Sequence, residues 1–128
     1  MRIITGLIII IFLLSFTFQQ QDIKKILCDR KWYMSYIKIP GKLVQVPDTI
    51  SLDKRPWAIF YSDGRFSNML NKKLVSGTWT YDNKTRQITT IENKKSDIKT
   101  MMELFRVLPD TLELYTQEKV LMGMQHFK

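Results

Sequence analysis

A chain of 128 residues, 45% of them hydrophobic, has room for one domain around a single core. Five glycines and four prolines exclude collagen-like and low-complexity classes. Twenty Lys and Arg against twelve Asp and Glu give a formal charge of +8 at pH 7, a balance that favours nucleic acid, anionic lipid or acidic glycans over cationic partners.

Residues 1–21 begin with Arg2, continue almost wholly apolar to Phe18 and end in three glutamines. That is the layout of a secretory signal peptide. The apolar run is shorter than the ~20 residues a membrane-spanning helix prefers. No A-x-A cleavage site occurs; Ser15 and Thr17 supply the small residues, with cleavage expected around residues 17–21. An uncleaved N-terminal anchor is the alternative. Either way residues 22–128 are placed outside the cytoplasm: periplasmic, held in the cell envelope, or secreted. Membrane contact is expected only if the leader is retained.

Residues 22–28 read as one helical turn or a short lead-in. They end at Cys28, the chain's single cysteine, which excludes an intramolecular disulfide. Its thiol is expected buried or paired with another chain. Lys24-Lys25-Ile26-Leu27 before it does not suit lipid attachment, which needs its own local signal.

Residues 30–39 alternate as a strand, with Trp32, Met34 and Tyr36 on one face and Tyr33, Ser35 and Ile37 on the other. Pro40-Gly41 is a turn, residues 42–46 a brief strand, and Pro47-Asp48 closes it. Residues 49–54 read as a short strand or a loop. From Arg55 to Glu92 the pattern is a meander. Asp63-Gly64, between the aromatic runs at Trp57–Tyr61 and Phe66–Leu70, suits a tight hairpin because such residues accept positive φ. Asn71-Lys72-Lys73 and Asp82-Asn83-Lys84 make the next turns, and strands run over residues 74–81 and 87–91.

After a polar turn at residues 94–97, the run 98–108 is ambiguous. Helical spacing groups Met101, Leu104, Phe105 and Leu108; strand spacing groups Met102, Leu104 and Arg106. Propensity favours helix, whereas the turn-and-strand context on both sides favours strand. Pro109-Asp110-Thr111 turns. Residues 112–117 then alternate, with Leu112, Leu114 and Thr116 inward and Glu113, Tyr115 and Gln117 outward. Glu118-Lys119 turns again, and residues 120–127 close the chain. About eight strands at this spacing make an all-β, antiparallel sandwich or barrel.

Three segments carry a family resemblance: Arg30-Lys31-Trp32; Ser62-Asp63-Gly64 with Gly77-Thr78-Trp79-Thr80-Tyr81-Asp82; and Leu108-Pro109-Asp110-Thr111-Leu112-Glu113-Leu114. In this order they resemble the small lipocalin-like domains of secreted bacterial proteins, with Arg30 standing in place of the first motif's glycine. The resemblance spans residues 27–127. It implies an up-and-down antiparallel β-barrel over residues 22–128, behind the leader at 1–21. An eight-stranded barrel either fills with side chains or holds one small ligand.

Catalytic and metal chemistry find little support. His126 is the only histidine and reads as an exposed group near a fraying terminus, a poor base for catalysis. One His and one Cys do not make a zinc site. Asp63, Asp82 and Asp110 sit in turns, where Asp caps backbone. No glycine-rich phosphate loop occurs. The expectation is a protein that is not an enzyme and carries no cofactor. Basic charge among aromatics also suits single-stranded nucleic acid, but Trp57, Trp79 and Phe66 fall at alternating, core-like positions and export removes that partner.

The apolar interior remains. Trp32, Met34, Tyr36, Phe60, Phe66, Trp79, Tyr81, Leu104, Leu114, Met122 and Met124 are the candidate lining for a small apolar or amphipathic ligand, or else simply core. Methionine adapts well at such surfaces, and Tyr36 or Tyr81 could orient a polar head. The alternative is a barrel with a filled core, serving as an interaction module for an envelope protein or acidic glycan. Turn sequences add modification motifs: Asn83-Lys84-Thr85 for N-glycosylation in a glycosylating host, and Asp48-Thr49-Ile50 and Asp110-Thr111-Leu112 for O-glycosylation.

Overall fold

Alternating apolar residues put one face of each strand into a shared interior, and short turns bring successive strands together. In the computed structural model, which describes residues 23–95 and 98–128, this produces nine strands. The expected leader lies outside the described residues. The strands are β1 (Lys31–Ile39), β2 (Lys42–Gln45), β3 (Trp57–Phe60), β4 (Arg65–Leu70), β5 (Lys73–Asp82), β6 (Gln87–Glu92), β7 (Lys99–Val107), β8 (Thr111–Tyr115) and β9 (Leu121–Gln125).

Each strand from β3 to β9 pairs antiparallel with its chain neighbour, and β1 pairs with both β3 and β9. Eight strands therefore close into a barrel, which removes the exposed edges an open sheet would carry. The ninth, β2, folds back on the outer half of β1. Lys31–Tyr33 of β1 face β3, whereas Tyr36–Ile39 face β2. Two short strands thus share one edge of β1. Between them the chain makes a 3-10 turn, Leu52–Lys54, not a strand. Arg55 pins this stretch: its Nε donates to the Ile50 carbonyl at 3.1 Å and its Nη2 to the Pro47 carbonyl at 3.3 Å.

The turns follow the chemistry of their residues. Leu70 pairs with Lys73, so Asn71-Lys72 is a two-residue hairpin loop, with φ of 51° and 62°. Positive φ at both loop residues is what the strand twist asks of such a hairpin. At Asp63-Gly64 only the glycine is left-handed, with φ of 93°. Asp63 instead bonds the Arg65 amide and guanidinium, at 3.0 and 2.7 Å.

The ambiguous run is resolved as β7, paired along both edges to β6 and β8. Helix propensity in Met, Glu and Leu amounts to tenths of a kcal/mol per residue, and a two-sided ladder overrides it.

One end of the barrel is shut. Residues 23–27 are helical and fold beneath it. Leu27 is fully buried, and its carbonyl accepts a 2.9 Å bond from Trp32 Nε1. Cys28 is buried beside Phe60, and burial pushes its thiol pKa up. His126 is not frayed: its amide donates to the Asp110 carbonyl, its ring nitrogen lies 3.1 Å from the Lys31 carbonyl, and the ring packs on Trp32. Above this plug sits the core, with Trp32, Phe60, Ile88, Leu104, Leu112 and Leu114 all at most 1% exposed.

Candidate functional site

Above the core the barrel is not full. A cavity of about 420 Å³ opens at the mouth, between the β4–β5 turn, the β6–β7 loop and the β8–β9 turn. Its floor is Phe60, Phe66, Leu114 and Met124; its walls are Met34, Ala58, Met102 and Met122. Polar groups gather higher up: Asn68, Thr90, Glu92, Thr100 and, from the β8–β9 turn, Thr116, Gln117 and Glu118. Two features keep the space open. Ala58 faces Asn68 across the ladder, a short residue opposite a medium one. Methionine, flexible and unbranched, fills irregular space loosely.

Of the residues proposed from sequence, Met34, Phe60, Phe66, Leu114, Met122 and Met124 line this cavity. Trp32, Trp79 and Leu104 belong to the packed core beneath it. The Trp79 indole N–H is spent on the Tyr61 carbonyl at 2.8 Å, and its ring stacks edge-on against Phe60 at 5.3 Å. Tyr81 packs against the core from β5, with a buried hydroxyl that has no hydrogen-bond partner and a pKa raised by desolvation. Trp57, expected in the core, lies half-buried at the cavity rim, which it helps to line, with the Lys31 ammonium 4.3 Å from its ring centroid.

Sequence reasoning passed over Asn68, Thr90, Thr100 and Glu92. Their signal was present, since each falls on the inward parity of its strand, but inward polar residues in a small barrel read as edge or turn material until the cavity is seen.

No family model and no curated protein matches the chain. Solved structures do match it. One is a lipocalin-like protein from Bacteroides uniformis, at 15% identity and a TM-score of 0.59, aligned over 80% of this chain and 99% of that one. The fold is lipocalin-like. A DUF4847 family protein from Bacteroides vulgatus aligns at 16% identity with a TM-score of 0.58, over 83% of this chain and 98% of that one. A protein from Burkholderia xenovorans gives 12% identity and a TM-score of 0.51, over 82% and 86%. At these identities the likeness is one of fold.

On this lipocalin-like barrel Tyr36 is a correction to the expected lining. β1 carries a bulge between Met34 and Tyr36, so Met34 faces Met124 indoors while Tyr36 faces Gly123 on the outer wall. The extra residue shifts parity by one and sends every later side chain to the opposite face. A second bulge, between Leu104 and Arg106, brings Arg106 opposite Glu113. The row Tyr36, Gly123, Glu113, Arg106 then crosses four strands on the outside. Tyr36 lies flat over Gly123, where any Cβ would overlap its ring. Its hydroxyl donates to Glu113 Oε2. Arg106 Nη2 sits 2.6 Å from Glu113 Oε1, an ion pair not aligned as a hydrogen bond. Glu113, expected to face solvent, points outward yet is only 4% exposed, because these neighbours cover it.

Proposed function

We propose that the lipocalin-like barrel binds one small apolar or amphipathic molecule in its interior and works outside the cytoplasm as a carrier, not a catalyst. The observation that carries this reading is the cavity of about 420 Å³, open at one end and floored by packed aromatic and aliphatic side chains. Ligand pockets typically run from about 300 to 1,000 Å³, mostly apolar with a few placed polar groups. The extracytoplasmic setting rests on the layout of residues 1–21.

Native mass spectrometry on protein purified from its own host envelope tests it. A reproducible added mass that disappears on denaturation is the expected result, and Thr100→Trp, which plugs the mouth, should lose that mass while staying folded. A bare protein at its calculated mass would count against the carrier reading.

A second reading draws on the outer wall. Phe105 and Leu43 are about half exposed around the Tyr36–Glu113–Arg106 row, and β2 keeps a free edge among the described residues. Such a surface suits a barrel that serves as a docking module for an envelope protein or acidic glycan. Capture of a partner through surface lysines, lost at high salt, would support it.

A further inference from the structure

We propose that the cavity selects an amphipathic amine, with its alkyl tail among the methionines and its ammonium at Glu92. This inference deepens the carrier reading and rests on it.

The charge around the cavity runs against the charge of the chain. With twenty Lys and Arg against twelve Asp and Glu, an opening lined at random would be basic. The ionisable residues that line this one are Glu92 and Glu118, and no Lys or Arg reaches it among the described residues. Lys73, Lys94 and Lys95 border an adjoining groove beside the β4–β5 turn, which shares Leu70 and Glu92 with the cavity. Glu92 stands between the two spaces and borders both. The ion pairs found among the described residues are Arg65–Asp63 and Arg106–Glu113, so none of these lysines forms a close ion pair with it.

The neutral polar groups agree with the acids. The Asn68 side-chain carbonyl oxygen is buried without a hydrogen-bond partner. Thr90 is 5% exposed and faces Thr100 across the β6–β7 ladder. A buried acceptor left unpaired costs about 1–3 kcal/mol. A ligand that brings N–H donors recovers that cost; a carboxylate head brings none and would meet Glu92 as a like charge. An ammonium offers three donors and a positive charge, matching a carboxylate, an amide oxygen and threonine hydroxyls at one end of an apolar bore.

Size fixes the tail. At roughly 30 Å³ per water-sized group, a cavity of about 420 Å³ takes a chain of about ten carbons with space for its head.

The test is calorimetric titration of the folded protein with decylamine, decanol and decanoate, each below its aggregation threshold. Decylamine should bind about tenfold or more tighter than decanoate, a gap of at least about 1.4 kcal/mol. Glu92→Gln should bring decylamine down to the level of decanol, and Lys94→Gln, outside the cavity, should preserve the ranking. Decanol binding with no preference between the charged probes would overturn the amine inference and leave the carrier reading standing. So would a decanoate preference erased by Lys94→Gln, which would move the head group to the lysine groove. Binding of none of the three would overturn the carrier reading and this inference with it.

Discussion

Tyr36 shows how far a single side chain is governed by its neighbours. Its hydroxyl is pushed up to about 12 from an ordinary 10.0, first by burial and then by the bond to Glu113. The folded state therefore holds this proton more tightly than the unfolded chain does. The stability it contributes is whole below about pH 10 and is lost as pH rises through about 12. Tyr81 is raised as well, by burial. In an ultraviolet phenolate titration, two of the five tyrosines should ionise late, and Tyr36→Phe should remove one late step and flatten the alkaline fall in stability. A titration in which Tyr36 shows no late step would show that the Tyr36–Glu113 bond is not maintained. The inward set was largely legible from parity. Tyr36 was not, because a bulge needs only one extra residue and Ser35 carries no turn signal.

At the scale of elements, the turns carried most of the legible information. Pro40-Gly41 and Asn71-Lys72 each sit where the ladder requires a two-residue loop. Lys72 is the weak member: it holds φ of 62° with a full side chain. Glycine reaches that region without steric cost, so Lys72→Gly, which creates an Asn-Gly loop, should stabilise the protein by about 0.5–1 kcal/mol in chemical denaturation. A loss of stability would mean that the Lys72 side chain makes a compensating contact. β7 was the element that periodicity alone left open. Its residues satisfy both spacings, and the partners that decide between them, β6 and β8, lie elsewhere in the chain. The short helix at residues 23–27 was legible as one helical turn or a lead-in, but its burial under the barrel depends on Trp32 reaching back to the Leu27 carbonyl.

For the whole molecule, closure joins the two ends of the sequence. Tyr33 pairs with Gln125, and β1 and β9 together seal the barrel. Contacts of such separation are slow to form, so refolding is expected in the millisecond-to-second range. Deleting residues 121–128 would strip a partner from both β1 and β8. That variant should self-associate through its two bare edges, visible in light scattering as a larger mass than the full chain gives at equal concentration. An all-β barrel could be read from strand count and turn spacing. The cavity could not, because whether a barrel fills depends on the volumes of facing side chains summed around its circumference, which no single strand reveals.

The direction of the chain at the shut end has a practical consequence. Residues 23–30 and the C-terminal stretch after β9 both leave the barrel there, with the His126 and Trp32 ring centroids 5.9 Å apart. A bead, a sensor surface or a fused reporter can therefore be attached at Ile23 or after Lys128 without shading the opposite opening. An immobilised sample would present its entrances outward, all alike, whichever of these two points is tethered.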